Sequence, residues 1–93
     1  MALGGIAFEA DLTPDQAEQL AKLMVRARPT RPEGVLTASL EYGEGRARLV
    51  AIWRDQEALS MYLATGAVPR GTELMRAVGA EPAVSRFEVL ELG

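Results

Sequence analysis

From Gly5 to Leu12 the residues alternate, with Ile6, Phe8, Ala10 and Leu12 on one side of an extended chain and Ala7, Glu9 and Asp11 on the other. A two-residue period predicts a strand. The period changes at T-P-D-Q, Thr13 to Gln16, where three signals announce a helix. Thr13 suits the N-cap, Pro14 the first helical position, and Gln16 completes a capping box. Ala17, Leu20, Ala21, Met24 and Ala27 then recur at three- and four-residue intervals as one apolar stripe. Pro29 predicts the end of this helix near Arg28.

Two strands are predicted next, Val35 to Tyr42 and Ala47 to Arg54, joined across G-E-G-R. With Glu44 and Gly45 as the turn, Glu41 faces Arg48, Leu40 faces Leu49, and Leu36 faces Trp53. One opposite-charge pair and two apolar pairs fall into register together, each worth about 0.2–1 kcal/mol. A slip of one residue would lose all three. Leu36, Ala38, Leu40 and Tyr42 share a face with Ala47, Leu49, Ala51 and Trp53, while Val50 and Ile52 lie on the reverse and need cover.

Asp55 then caps a second helix, with Glu57 favoured in its first turn by the helix dipole. Ala58, Leu59, Tyr62 and Leu63 form its apolar side, and Gly66 and Pro69 interrupt it. A short turn capped by Thr72 is expected from Glu73 to Val78. A last strand, Val84 to Leu92, puts Phe87 and Val89 on one face and Arg86, Glu88 and Leu90 on the other.

The order strand, helix, strand, strand, helix, strand folds most simply as a ferredoxin-like βαββαβ sandwich of the α+β class. It has a four-stranded antiparallel sheet with the helices on one face, and the whole chain, residues 1 to 93, forms one domain. Phe8, Leu40, Trp53 and Phe87 are expected to face the helices. The reverse face mixes Thr37, Val50, Ile52 and Leu90 with Glu9, Arg48 and Arg86, and its simplest partner is a second copy packed sheet to sheet.

Composition narrows the chemistry mainly by absence. The chain has no Cys and no His, which removes thiolate catalysis, the commonest general base and the usual zinc and haem ligands. It also has no Asn, and no metal site is expected. A formal charge of -3 argues against nucleic acid or an anionic membrane as partner. No segment approaches the ~18 apolar residues of a membrane span, and M-A-L-G-G-I-A-F-E-A lacks the features of a signal peptide. A cytoplasmic location is the expectation.

The stretch I-W-R-D-Q-E-A-L, Ile52 to Leu59, takes a strand that ends on the only tryptophan straight into an acidic helix start. Together with the closing S-R-F-E-V-L-E-L and the order of elements over residues 5 to 92, it resembles the antibiotic-biosynthesis monooxygenase-like family of dimeric α/β barrels. The resemblance implies a homodimer formed through the sheet face. It also implies a cavity between sheet and helices in which some members oxidise phenols or anthrones without cofactor. Trp53 matches the family's tryptophan on the third strand. Leu49 stands where the phenol-oxidising members carry an Asn, and the residues used by the haem-degrading members are absent altogether.

Such an oxygenase would act on a small hydrophobic aromatic ligand and would need groups that stabilise an anion. Trp53, Tyr62 and Tyr42 are the candidate catalytic residues, and Phe8, Met24, Leu36, Leu49, Trp53, Tyr62 and Phe87 the candidate pocket. Arg70, Arg76 and Arg86 are candidate cations at its rim. The alternatives are a non-catalytic binding protein that uses the same cavity, or a dimerisation module whose cavity is filled by its own side chains.

Overall fold

The elements run β1 (Leu3–Asp11), α1 (Pro14–Ala27), β2 (Val35–Gly43), β3 (Arg46–Trp53), α2 (Gln56–Leu63), α3 (Arg70–Ala77) and β4 (Ala83–Val89), with a 3₁₀ turn at Arg28–Thr30. The computed structural model describes residues 2–91. The four strands form one antiparallel sheet in the order β2-β3-β1-β4, as expected of a ferredoxin-like α+β fold. Two short helices, α2 and α3, occupy the place of the single second helix, because the Gly66–Pro69 segment separates them.

Local signals account for most of the boundaries. At the start of α1, Gln16 N–H donates to Thr13 Oγ1 at 3.2 Å and Thr13 N–H donates to Gln16 Oε1 at 2.8 Å, a complete capping box. Asp55 caps α2, its Oδ1 accepting from Ala58 N–H at 2.7 Å. Thr72 does not cap the third helix: α3 already begins at Arg70, behind Pro69, and Thr72 is buried inside it.

The predicted hairpin register holds from Thr37 to Gly43, including Leu40 opposite Leu49 and Glu41 opposite Arg48. It breaks at Leu36. A β-bulge places Val35, not Leu36, opposite Trp53. One extra residue in β2 turns Leu36 out of the ladder, where it is 54% exposed. Gly34, just before the bulge, has φ +98°, a backbone that favours glycine.

The core between sheet and helices joins Ile6, Phe8 and Ala10 of β1 with Leu49 and Trp53 of β3, Leu20 of α1, Leu59 of α2 and Met75 of α3. Phe87 is not part of it, because β4 faces the opposite way from the expectation. Phe87 pairs with Gly5, and Arg86 with the inward Ile6. A Cβ on Gly5 would overlap the Phe87 ring, so the glycine makes room for the ring on the outer face of the sheet. There Phe87 packs with Leu3, Ala7, Val50, Ile52 and Val89, and the Arg48 guanidinium lies 5.7 Å from its ring centroid. Val50 and Ile52 thus take part of their cover from β4 itself.

Candidate functional site

Small residues on facing elements leave space between sheet and helices. Ala21 and Ala27 of α1 stand over Ala38 of β2 and Ala51 of β3, and an open-mouthed cavity of about 320 Å³ lies between them. Its apolar walls include Phe8, Leu49 and Trp53 from the sheet and Met24 and Leu74 from the helices. Gly71, at the start of α3, lies against the Phe8 ring, and a Cβ there would overlap it. This close approach brings α3 down onto β1 at the cavity wall.

Trp53 is both core and wall. It is 3% exposed, and its ring lies against Gly34, where an added Cβ would come within 3.1 Å of it. Its ring centroid is 4.9 Å from that of Tyr62, with the planes inclined at 36°. Trp53 Nε1–H is buried and has no hydrogen-bond partner among the described residues. Leaving a buried donor unpaired costs about 1–3 kcal/mol.

Tyr62, near the C-terminal end of α2, reaches the cavity beside Trp53. Its Oη accepts the Arg70 backbone N–H at 2.8 Å. That bond gives an acceptor to one of the backbone donors at the start of α3 and leaves the phenolic proton free to donate elsewhere.

Three arginines, Arg28, Arg31 and Arg70, also line the cavity, and no Asp or Glu does. Arg70 is tied across to the 3₁₀ turn, its Nη1 donating to Thr30 Oγ1 at 3.0 Å and its Nη2 to Thr30 O at 3.2 Å. Among the described residues, no cluster of Asp and Glu is placed to hold a metal.

Five of the residues expected to form the pocket come together: Phe8, Met24, Leu49, Trp53 and Tyr62. Leu36 is excluded by the bulge, and Val35 lines the cavity in its place. Phe87 is excluded by the facing of β4. Tyr42 lies apart, its hydroxyl donating to Leu12 O at 2.8 Å and so tying β2 to the end of β1. Of the three candidate cations only Arg70 reaches the cavity. Arg76 pairs with Glu81, its Nε 2.8 Å from the carboxylate, and Arg86 bonds to Gln56 and Ser60 on α2. Arg28 and Arg31 were missed, although their three-residue spacing beside Pro29 was the available signal.

No protein-family model matches the chain, and no curated protein does. Solved structures do match, over nearly the whole chain. A protein of unknown function from Nitrosomonas europaea, NE2512, has a TM-score of 0.67 at 17% identity, the match covering 100% of this chain and 94% of that one. A Bordetella bronchiseptica protein described as a candidate antibiotic biosynthesis monooxygenase has a TM-score of 0.66 at 14% identity, covering 98% of this chain and 100% of the other. SnoaB from Streptomyces nogalater, a cofactor-independent oxygenase, has a TM-score of 0.59 at 16% identity, covering 96% and 92%. The chain therefore resembles antibiotic biosynthesis monooxygenase-like proteins in fold, at identities that speak for the fold alone.

Proposed function

We propose that this protein is a small cofactor-independent oxygenase that binds a hydrophobic aromatic substrate of the phenol or anthrone type against Trp53. The observation that carries the reading is the cavity itself: an open, largely apolar space walled by a Trp–Tyr pair. The similarity in fold to SnoaB supports the same reading.

For an anthrone, the reaction balances as anthrone plus O₂ giving anthraquinone plus water. The ring CH₂ loses a proton, the carbanion reduces oxygen and joins it as a hydroperoxide, and loss of water leaves the ketone. Tyr62 O–H would donate to the substrate oxygen on which negative charge gathers, and the arginines would favour the deprotonated form. The lining holds no carboxylate or imidazole to take the proton, so water or hydroxide at the open mouth serves as base. That same feature favours a second reading, a non-catalytic binding protein that uses the same cavity.

The working unit in this reading is a homodimer. Leu3, Ala7, Val50, Ile52, Phe87 and Val89 form an apolar cluster on the sheet face opposite the helices, which is suited to packing against a second copy. Among the described residues no helix is long and apolar enough to cross a membrane.

Oxygen uptake over a panel of anthrones and hydroquinones tests the enzymatic reading. Uptake above the protein-free rate, reduced in Trp53→Phe, is expected. Uptake equal to the blank across the panel would leave the binding reading.

A further inference from the structure

The cavity carries more positive charge than an apolar ligand requires. Its lining has three arginines and no acid, a formal +3 in a chain whose net charge is -3. Of the six arginines outside the lining, four meet carboxylates, Arg86 bonds to the neutral Gln56 and Ser60, and Arg26 has no carboxylate within ion-pair distance among the described residues. Arg46 meets Glu9 and Asp11, Arg48 meets Glu41, Arg54 meets Glu33 and Asp55, and Arg76 meets Glu81. Among the described residues neither Arg28 nor Arg31 has a carboxylate within ion-pair distance. Arg70 has Glu73 only at 4.0 Å, and its two close bonds go to neutral oxygens of Thr30. Those bonds hold its guanidinium at the mouth without neutralising it.

The backbone explains why the charges converge. Arg31 N–H donates to Arg28 O at 3.2 Å, closing the 3₁₀ turn. In such a turn residues three apart project to one side, which places Arg28 and Arg31 together. The Arg70–Thr30 bonds then bring the third cation to the same turn. Three like charges gathered beside an apolar space repel one another, and an anion relieves that repulsion.

We propose that the ligand of this cavity is an amphipathic organic acid. Its aromatic body lies against Trp53, Leu49 and Met24, and its carboxylate is held at the mouth by Arg28, Arg31 and Arg70. The guanidinium fork matches a carboxylate in planar, two-point geometry. The proposal rests on the reading of the cavity as the ligand site, and it adds the chemical class of the group that selects the ligand. The carboxylate is a handle at the mouth, distinct from the ring position that would be oxidised.

Calorimetric titration of the whole chain with 2-naphthoate and with 2-acetonaphthone, a neutral probe of the same ring system, separates the two ideas. The acid is expected to bind about tenfold tighter or more, as charge-assisted pairing implies. The difference should shrink as salt rises from about 0.05 to about 0.5 M. In Arg28→Gln/Arg31→Gln, with Arg70 alone remaining, the preference for the acid should fall several-fold, with the ketone unchanged, whereas Arg26→Gln, outside the lining, should keep the preference in full. Equal affinities in the unaltered protein would overturn the charge proposal and leave the cavity reading standing. A preference that the double substitution leaves undiminished would also overturn it. If neither probe bound, both would fall.

Discussion

Trp53 and Tyr62 stand with ring centroids 4.9 Å apart, and the tyrosine hydroxyl at the end of that pair accepts the Arg70 N–H that opens α3. One side chain therefore lines the cavity and fixes the helix that bounds it. Tyr62→Phe keeps the ring contact and removes the acceptor. A loss of about 1 kcal/mol in urea unfolding is expected, the usual cost of one such hydrogen bond. In the oxygenase reading, oxygen uptake should fall further than this small destabilisation explains.

The bulge in β2 makes a sharp distinction between neighbours. Val35 faces Trp53 and the cavity, whereas Leu36 is turned out. Leu36→Ser should change stability by no more than about 0.5 kcal/mol, as at other surface positions. Val35→Ser should cost about 1–2 kcal/mol through lost apolar burial. Urea unfolding of the two variants checks the order, and a larger loss at Leu36 would contradict the bulge.

These two positions show what could be read from the chain. The Thr13–Gln16 capping box, the Asp55 cap and the Glu41–Arg48 and Leu40–Leu49 pairs depend on residues close in sequence, and each was legible. Leu36 was not, because a bulge is one added residue and the two-residue period cannot register it until the partner strand is in place. The facing of β4 depended on Gly5 making room for Phe87, a contact between the two ends of the chain. The cavity was visible only by subtraction, in alanines that face one another across the layers. Its charge came from Arg70 meeting a turn 40 residues earlier in the chain.

Association through the sheet face predicts a concentration-dependent mass. Light scattering should give twice the 10.0 kDa chain mass. Val89→Glu, placing a charge in the apolar cluster of that face, should give the single-chain mass with unchanged circular dichroism. A single-chain mass for the unaltered protein would contradict the dimer.

The Arg76–Glu81 pair gives a pH dependence of known sign. Two hydrogen bonds from Arg76 hold the Glu81 carboxyl below its usual range. A lowered carboxylate pKa stabilises the fold above the unfolded value and loses that contribution as pH falls through the folded one. The unaltered protein should therefore melt slightly above Glu81→Gln at neutral pH, and the gap should close below about pH 4. Both groups are fully exposed, so the gap is small.

The central claim is that the space beside Trp53 admits an aromatic ligand, and the only tryptophan of the chain reports on it directly. Titration of Trp53 emission with 2-naphthoate, beside the same titration of Ala51→Leu, is the deciding measurement. Ala51 lines the cavity, and a leucine there would occupy part of its volume of about 320 Å³. A saturable change at one ligand per chain, lost in the folded Ala51→Leu protein, is the predicted result. No saturable change, or one that Ala51→Leu leaves intact, would contradict the account.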